Sequence, residues 1–258
     1  MSMHFAISPD VNVQNVTDWF ILNTKVQRIT GLAFTPTAYT DFADLHDAFE
    51  AGRADIVYAN AADTAYLVRD KGYLPVAWAG GMAKEAVIAV AENSEIRAIA
   101  DLRAPLSVAA TDAPDVERVC RIMLEPADIG YRDVEVNVRP NPVLVAKALL
   151  QGQVQVGFFP QNSYDELSSM VRDQLRELVR SHIYVVRSSL LASPQLADHV
   201  EKLWTGLDAL AKEPGNQELM RALGAPNGWE RLEQEDTEFM IDLMDALSQD
   251  GEEPRRRA

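Results

Sequence analysis

Cysteine is nearly absent from this chain. Its 258 residues include one, Cys120, which rules out an internal disulfide and any metal site built from several thiolates. Histidine is also sparse: His4, His46, His182 and His199 lie far apart, and none stands at zinc-ligand spacing. Basic residues are outnumbered, with 24 lysines and arginines against 39 aspartates and glutamates, for a formal net charge of −15. Such a surface offers no basic face for nucleic acid and is repelled by an anionic bilayer. No apolar run approaches the roughly 18 residues of a membrane helix, so no membrane insertion is expected. A secretory leader needs a basic start and then about 7–15 apolar residues; here Ser8-Pro9-Asp10 ends the opening apolar stretch at once. On that ground the chain reads as cytoplasmic, or as periplasmic if a leader has been removed. No GxSxG, P-loop or GxGxxG motif occurs, and no cofactor is expected.

What is present suits a folded α/β protein. The hydrophobic fraction is 47% and the charged fraction 24%, ordinary for a globular chain, and the length suits one large domain or two lobes. Residues 4–7, 32–37, 55–58, 74–79 and 86–91 predict strands. Helical spacing fills the gaps: Val16, Trp19, Val26 and Ile29 before Gly31; Leu45, Ala48 and Phe49 before Gly52; Tyr66-Leu67-Val68 before Gly72. Thr40 or Asp41 caps the second of these helices and Asn60 opens the third. The rhythm then restarts, with strands at 106–110, 134–138, 154–159 and 183–186. Helices fall at 115–124, at 143–151 with Pro142 in the first turn, and at 160–173. From Pro194 the pattern is helical, and residues 249–258 read as a frayed tail.

Two βαβαβ blocks of this kind imply mostly parallel sheets with right-handed crossovers. Ligands of such sheets bind outside the carboxyl ends of the strands. Those ends are Ser8-Pro9-Asp10, Ala59-Asn60-Ala61, Thr111-Asp112-Ala113 and Pro160-Gln161-Asn162, with Tyr39 and Asn141 in two further loops. Each turn offers backbone N–H groups and a positive helix end, which suit an anion or a ligand carbonyl. The candidate contacts are therefore Ser8, Asp10, Tyr39, Asn60, Thr111, Asp112, Asn141, Gln161 and Asn162. Plainer roles stand beside these. Ser8, Asp10, Asn60 and Asn162 suit helix caps, and Asp112 and Asp115 suit first-turn charges. Tyr39 suits surface packing and Trp78 core packing. Cys120 shares an apolar helical stripe with Val116, Val119 and Met123 and reads as a buried thiol.

Two stretches, DFADLHDAFEAGRADIVY at 41–58 and VLVAKALLQGQVQVGFF at 143–159, each run helix, glycine turn, strand. In their order and spacing the chain resembles type 2 periplasmic binding proteins, and among them the phosphate/phosphonate-binding, PhnD-like receptors of ABC transporters. The loop Thr37-Ala38-Tyr39-Thr40 is similar to the family's tyrosine-containing loop. The strand at 85–91 followed by IRAIADL at 96–102 is similar to its crossover into lobe two, and residues 220–224 and 229–247 to its closing helices.

The resemblance implies an α/β fold of two lobes with an interlobe cleft. Lobe one would hold residues 1–92 and 184–258, and lobe two residues 93–183. The lobes would close on a small-molecule ligand without catalysis, for an ABC-transporter permease or a sensor. The family carries a Ser-Thr-Ser-type run after the first strand of lobe two, which wraps the phosphonate oxygens. Here that position reads Thr111-Asp112-Ala113-Pro114-Asp115. A carboxylate 4 Å from an anion opposes it by about 4 kcal/mol at intermediate dielectric. A neutral polar, zwitterionic or cationic ligand is therefore expected ahead of phosphate or a simple phosphonate. The alternative is a cytoplasmic enzyme on the same fold, as in menaquinone biosynthesis, with Asp10, Asp112 or Asp115 as acid or base.

Overall fold

A computed structural model describes residues 3–9, 16–81, 83–184 and 186–249; Asp10 and most of the tail fall outside these. The elements in chain order are β1 (Met3–Ile7), α1 (Val16–Thr30), β2 (Phe34–Ala38), α2 (Phe42–Glu50), β3 (Ile56–Ala59), α3 (Ala61–Lys71) and β4 (Leu74–Ala79). Next come β5 (Ala86–Ala91), β6 (Leu106–Ala110), α4 (Pro114–Ile122), β7 (Val134–Val138), α5 (Pro142–Leu150), β8 (Val156–Pro160), α6 (Gln161–Asp165), α7 (Ser169–Arg172) and β9 (Leu175–Arg180). The last are β10 (Ser189–Ala192), α8 (Val200–Lys212), α9 (Gln217–Ala222), β11 (Trp229–Arg231) and α10 (Gln234–Gln249).

Local chemistry sets several boundaries. Asp41 is the N-cap of α2, and its side chain accepts the Asp44 amide at 2.9 Å. Asn60 does the same for α3, accepting from Asp63 at 2.8 Å. That helix stops at Gly72, whose φ of 69° lies in the left-handed region where a Cβ is penalised. Asn141 caps α5, and Pro142 takes its first position.

The chain divides into two compact units, one made of Met1–Ala83 and Arg187–Asp242 and the other of Lys84–Val186 with the residues from Leu243 on. The first unit holds a six-stranded sheet in the order β11-β4-β10-β3-β1-β2. On one face Phe5, Ile7, Ile56, Tyr58 and Leu190 pack with Trp19, Leu22 and Val26 of α1 and Leu203, Leu207 and Leu210 of α8. On the other, Ala6, Val57, Ala59 and Leu191 pack with Leu45, Phe49 and Leu67. The alternation along each strand supplies both faces. The second unit holds a five-stranded sheet, β7-β6-β8-β5-β9, with Val87, Ala89, Ala109 and Phe159 packed against Val145 and Leu149 of α5.

Several expectations need correction. The ladders β1–β2, β1–β3, β6–β7 and β6–β8 are parallel, but every ladder made by β5, β10 or β11 is antiparallel. The sheets are therefore mixed. β5 does not join the first sheet: it pairs with β8 and β9, so the division falls at Ala83 and not after residue 92. Its run AVIAVA is apolar on both faces, as a central strand requires, but such a run does not say which sheet it will enter. The stretch 160–173 is two short helices, and the strand expected at 183–186 lies instead at Ser189–Ala192. β9 and β11 were not anticipated. Both are sheet edges, and their sequences LRELVR and WER carry little apolar signal.

Trp19 anchors the first core. It is fully buried, 4.4 Å from the ring of Tyr58 and 5.8 Å from that of Phe5. Trp19→Ala should destabilise the protein by about 3–5 kcal/mol, read as a lowered urea midpoint at unchanged slope. A loss under about 1 kcal/mol would mean that the indole does not hold this core.

Candidate functional site

Strand register builds one rim at the carboxyl end of the first sheet. The Tyr39 amide donates to the Ile7 carbonyl and the Ser8 amide to the Tyr58 carbonyl, each at 3.1 Å. Asn60 follows the last residue of β3. β10 starts at this end, with Ser189 opposite both Ala59 and Trp78, and Glu230 lies opposite Trp78 on the far side. Tyr39, Ser8, Ala59, Ser189, Trp78 and Glu230 thus lie in a row across the sheet. The Arg187 guanidinium sits 4.8 Å from the Trp78 ring centroid and pairs with Glu230 at 2.7 Å. Trp78 is half-buried under this cation.

The predicted residues on this rim differ in availability. Asn60 is 1% exposed. Its Oδ1 accepts the Asp63 amide, and its Nδ2 donates to Asp63 Oδ2 at 3.2 Å. Asp63 Oδ1 meets His46 Nε2 at 2.8 Å, and the Asn60 carbonyl accepts the Thr64 hydroxyl at 2.7 Å. Its polar groups are engaged in holding the start of α3. Tyr39 is half-buried and packs on the cluster around Leu45, Phe49 and Leu67. The cap expected of Ser8 falls on a segment outside the described residues; among those described, the hydroxyls of Ser8 and Ser189 are both buried without a partner. Each such group costs about 1–3 kcal/mol unless something satisfies it.

The second sheet has its own rim. Thr111 and Asp112 follow β6, and the Arg139 amide donates to the Ala110 carbonyl at 2.7 Å, which places Asn141 nearby in the next loop. Asn141 is spent as the α5 cap, accepting the Leu144 amide at 3.0 Å. Asp112 is exposed and does not cap α4; the cap position is Ala113, with no side-chain hydrogen bond. Pro114 occupies the first helical position and has no amide to offer. Asp115 is 2% exposed within that first turn. Gln161 is half-buried with its Oε1 unpartnered. Asn162 is no cap either: Pro160 holds that position, and Asn162 Oδ1 accepts the Ser163 amide at 2.9 Å. Cys120 is wholly buried, and burial pushes its thiol well above the usual range, with Glu117 adding to the effect.

Glu85 and the loop it holds, residues 181–184, went unrecognised as part of this rim in the sequence. Glu85 precedes β5, and its carbonyl accepts the Gln161 amide at 2.9 Å. Its carboxylate accepts the Ser181 hydroxyl, the Ile183 amide at 3.1 Å and the Tyr184 amide at 2.7 Å. Tyr184 has a φ of 61°, and its ring lies 6.2 Å from that of His182 at an interplanar angle of 29°. Reading residues 183–186 as a strand hid this loop. Reading Leu175–Arg180 as a strand would have exposed it.

Two outcomes follow from these placements. Asn60→Ala should cost about 1–2 kcal/mol through the lost cap, with Asn60→Ser recovering much of it in urea melts; an unchanged midpoint would remove Asn60 from the helix start. Cys120 should react with a thiol reagent at pH 8 only as fast as the protein unfolds, and prompt reaction of the native protein would contradict its burial.

A family profile described as "ABC transporter, phosphonate, periplasmic substrate-binding protein" matches residues 5–237. No curated protein sequence matches. Among solved structures, XAC2383 from Xanthomonas citri bound to ATP is similar at a TM-score of 0.77 and 13% identity, covering 97% of this chain and 99% of that one. PhnD1 from Prochlorococcus marinus in complex with methylphosphonate gives 0.74 and 12%, covering 96% and 98%. The alkanesulfonate-binding protein SsuA from Xanthomonas axonopodis pv. citri bound to MOPS gives 0.62 and 17%, covering 97% and 94%. At these identities the likeness is one of fold, the type 2 periplasmic-binding-protein fold. The profile spans nearly the whole chain, and the protein therefore belongs to the family of periplasmic substrate-binding proteins of phosphonate ABC transporters.

Proposed function

We propose that this chain binds a small zwitterionic or cationic solute in the periplasm, without chemistry, and presents it to an ABC-transporter permease. The family supports solute binding over the enzyme alternative and a permease over a sensor. The candidate contacts are Ser8 and Tyr39 on the rim of the first unit and, on the rim of the second taken by itself, Thr111, Asp112 and Gln161. Asn60 and Asn141 serve as caps. Binding biases a conformational equilibrium that the partner reads.

The observation that carries the ligand class is the start of α4. Phosphoryl or sulfonyl oxygens are best held by free amides and hydroxyls at a helix N-terminus. This one has Pro114 in place of its first amide, exposed Asp112 beside it and buried Asp115 in its first turn. Solvent screens Asp112, so its repulsion of an anion is well below the unscreened figure, yet its sign still favours an ammonium group. The overall charge of −15 acts in the same direction.

A thermal-shift panel tests this reading with phosphate, methylphosphonate, 2-aminoethylphosphonate, choline and simple amines. A ligand at 100 times its Kd stabilises by about 2.7 kcal/mol, which for this length raises Tm by roughly 5–10 °C. Shifts should come from amine-bearing compounds and not from phosphate or methylphosphonate; a large shift with methylphosphonate overturns the ligand class. Asp112→Asn should weaken the best amine-bearing ligand about two- to five-fold, as expected for an exposed ion pair, with stability nearly unchanged. Equal affinity would place Asp112 outside the contact set.

A further inference from the structure

Tyr184 stands out on the second rim. An L-residue other than glycine is penalised in the left-handed region, and Tyr184 is held there at a φ of 61°. The Glu85 carboxylate maintains the conformation by accepting the Tyr184 amide at 2.7 Å and the Ile183 amide at 3.1 Å, and the Ser181 hydroxyl fixes that carboxylate in turn. The outcome of this bracing is not burial. The residue remains 61% exposed, with the His182 ring stacked on its own. It stands at the carboxyl end of the sheet, because the Ser181 amide pairs with the Ala86 carbonyl at 2.9 Å and Ala86 lies opposite Pro160, next to Gln161. A strained backbone braced to present an aromatic ring beside a ligand-binding edge points to recognition.

The chemistry of the surroundings selects the ligand group. A tyrosine ring face is electron-rich and attracts cations. The nearby cation Arg180 is compensated by Asp165 at 2.9 Å and Glu177 at 2.7 Å. A primary ammonium needs free hydrogen-bond acceptors, yet Glu85 already accepts three donors of about four a carboxylate can take. An alkylated ammonium needs none.

Resting on the cationic reading above, we propose that Tyr184, backed by His182 and positioned by Glu85, is a recognition surface for an alkylated ammonium group. Calorimetric titration with choline and with its uncharged isostere 3,3-dimethylbutan-1-ol tests this on the wild type, Tyr184→Phe and Tyr184→Asn. Asparagine tolerates the left-handed backbone, so that variant removes the ring and leaves the fold. Choline should bind the wild type at least ten-fold more tightly than the isostere. Tyr184→Phe should stay within about two-fold, and Tyr184→Asn should weaken choline about 5- to 30-fold, the range of a partly desolvated cation–π contact. Choline binding that Tyr184→Asn leaves unchanged overturns the recognition surface and leaves the cationic reading intact. Methylphosphonate binding without choline binding overturns both. Equal binding of choline and the isostere shows apolar packing and overturns the ammonium assignment.

Discussion

Each sheet depends on a strand that runs against its neighbours. β10 lies between β3 and β4, and β5 lies between β8 and β9, antiparallel in every ladder they make. Both are central and buried on both faces, so each satisfies backbone groups on two sides at once. β10 comes from a part of the chain remote from the strands it joins, so the first sheet is complete only after a long loop has closed. Low-contact-order folding is therefore closed to this chain. The same two strands also supply the rims. Both start at the carboxyl ends of their parallel neighbours, so the residues just before them, Arg187 and Ser188 for β10 and Glu85 for β5, arrive beside the strand-to-helix turns. The device that completes each sheet thus also furnishes each rim.

This explains which parts of the molecule could be read from residue order. α2 and α3 were legible because a side chain at Asp41 or Asn60 meets an amide three residues on, an interaction that needs no distant partner, and α5 because Pro142 suits a first helical turn. The partner of β5 was not legible. A run of buried apolar residues fits any central strand, and pairing is decided by segments far along the chain. β9 was hidden for a different reason. LRELVR at a sheet edge is half polar and imitates the charged face of a helix. One misplaced strand then concealed the loop holding His182 and Tyr184, so an error in fold became an omission in the site.

The candidate residues divide along the same physical line. Asparagine at the start of a helix is chemically suited both to a ligand and to its own backbone, and the local partner wins at Asn60 and Asn141 because it is always present. Ser8 and Gln161 lack such a partner in the described structure, and their buried oxygens are left unsatisfied. Residue type alone does not separate these cases. At Asn60 and Asn141 an amide three residues ahead takes the side-chain oxygen.

Fold, meanwhile, does not choose the ligand. Structures as alike as XAC2383 bound to ATP, PhnD1 with methylphosphonate and SsuA with MOPS differ in what they hold. Discrimination must come from how each chain furnishes its helix starts and loop side chains. Here α3 and α5 have their first amides partly taken by asparagine, and α4 begins on proline among carboxylates. Backbone donors, the usual means of holding an anion at such an edge, are correspondingly few. Beside the hydroxyls of Ser8, Ser189 and Thr111, these edges carry aromatic and amide side chains: Tyr39 and Trp78 on one rim, Gln161 and Tyr184 on the other. Rings and neutral amides reward a ligand with apolar or cationic substance more than one that is only a charged oxygen cluster. The scarcity of helix-end donors at α4 and the bracing of an exposed tyrosine are separate features of the chain, and both support the cationic reading proposed above.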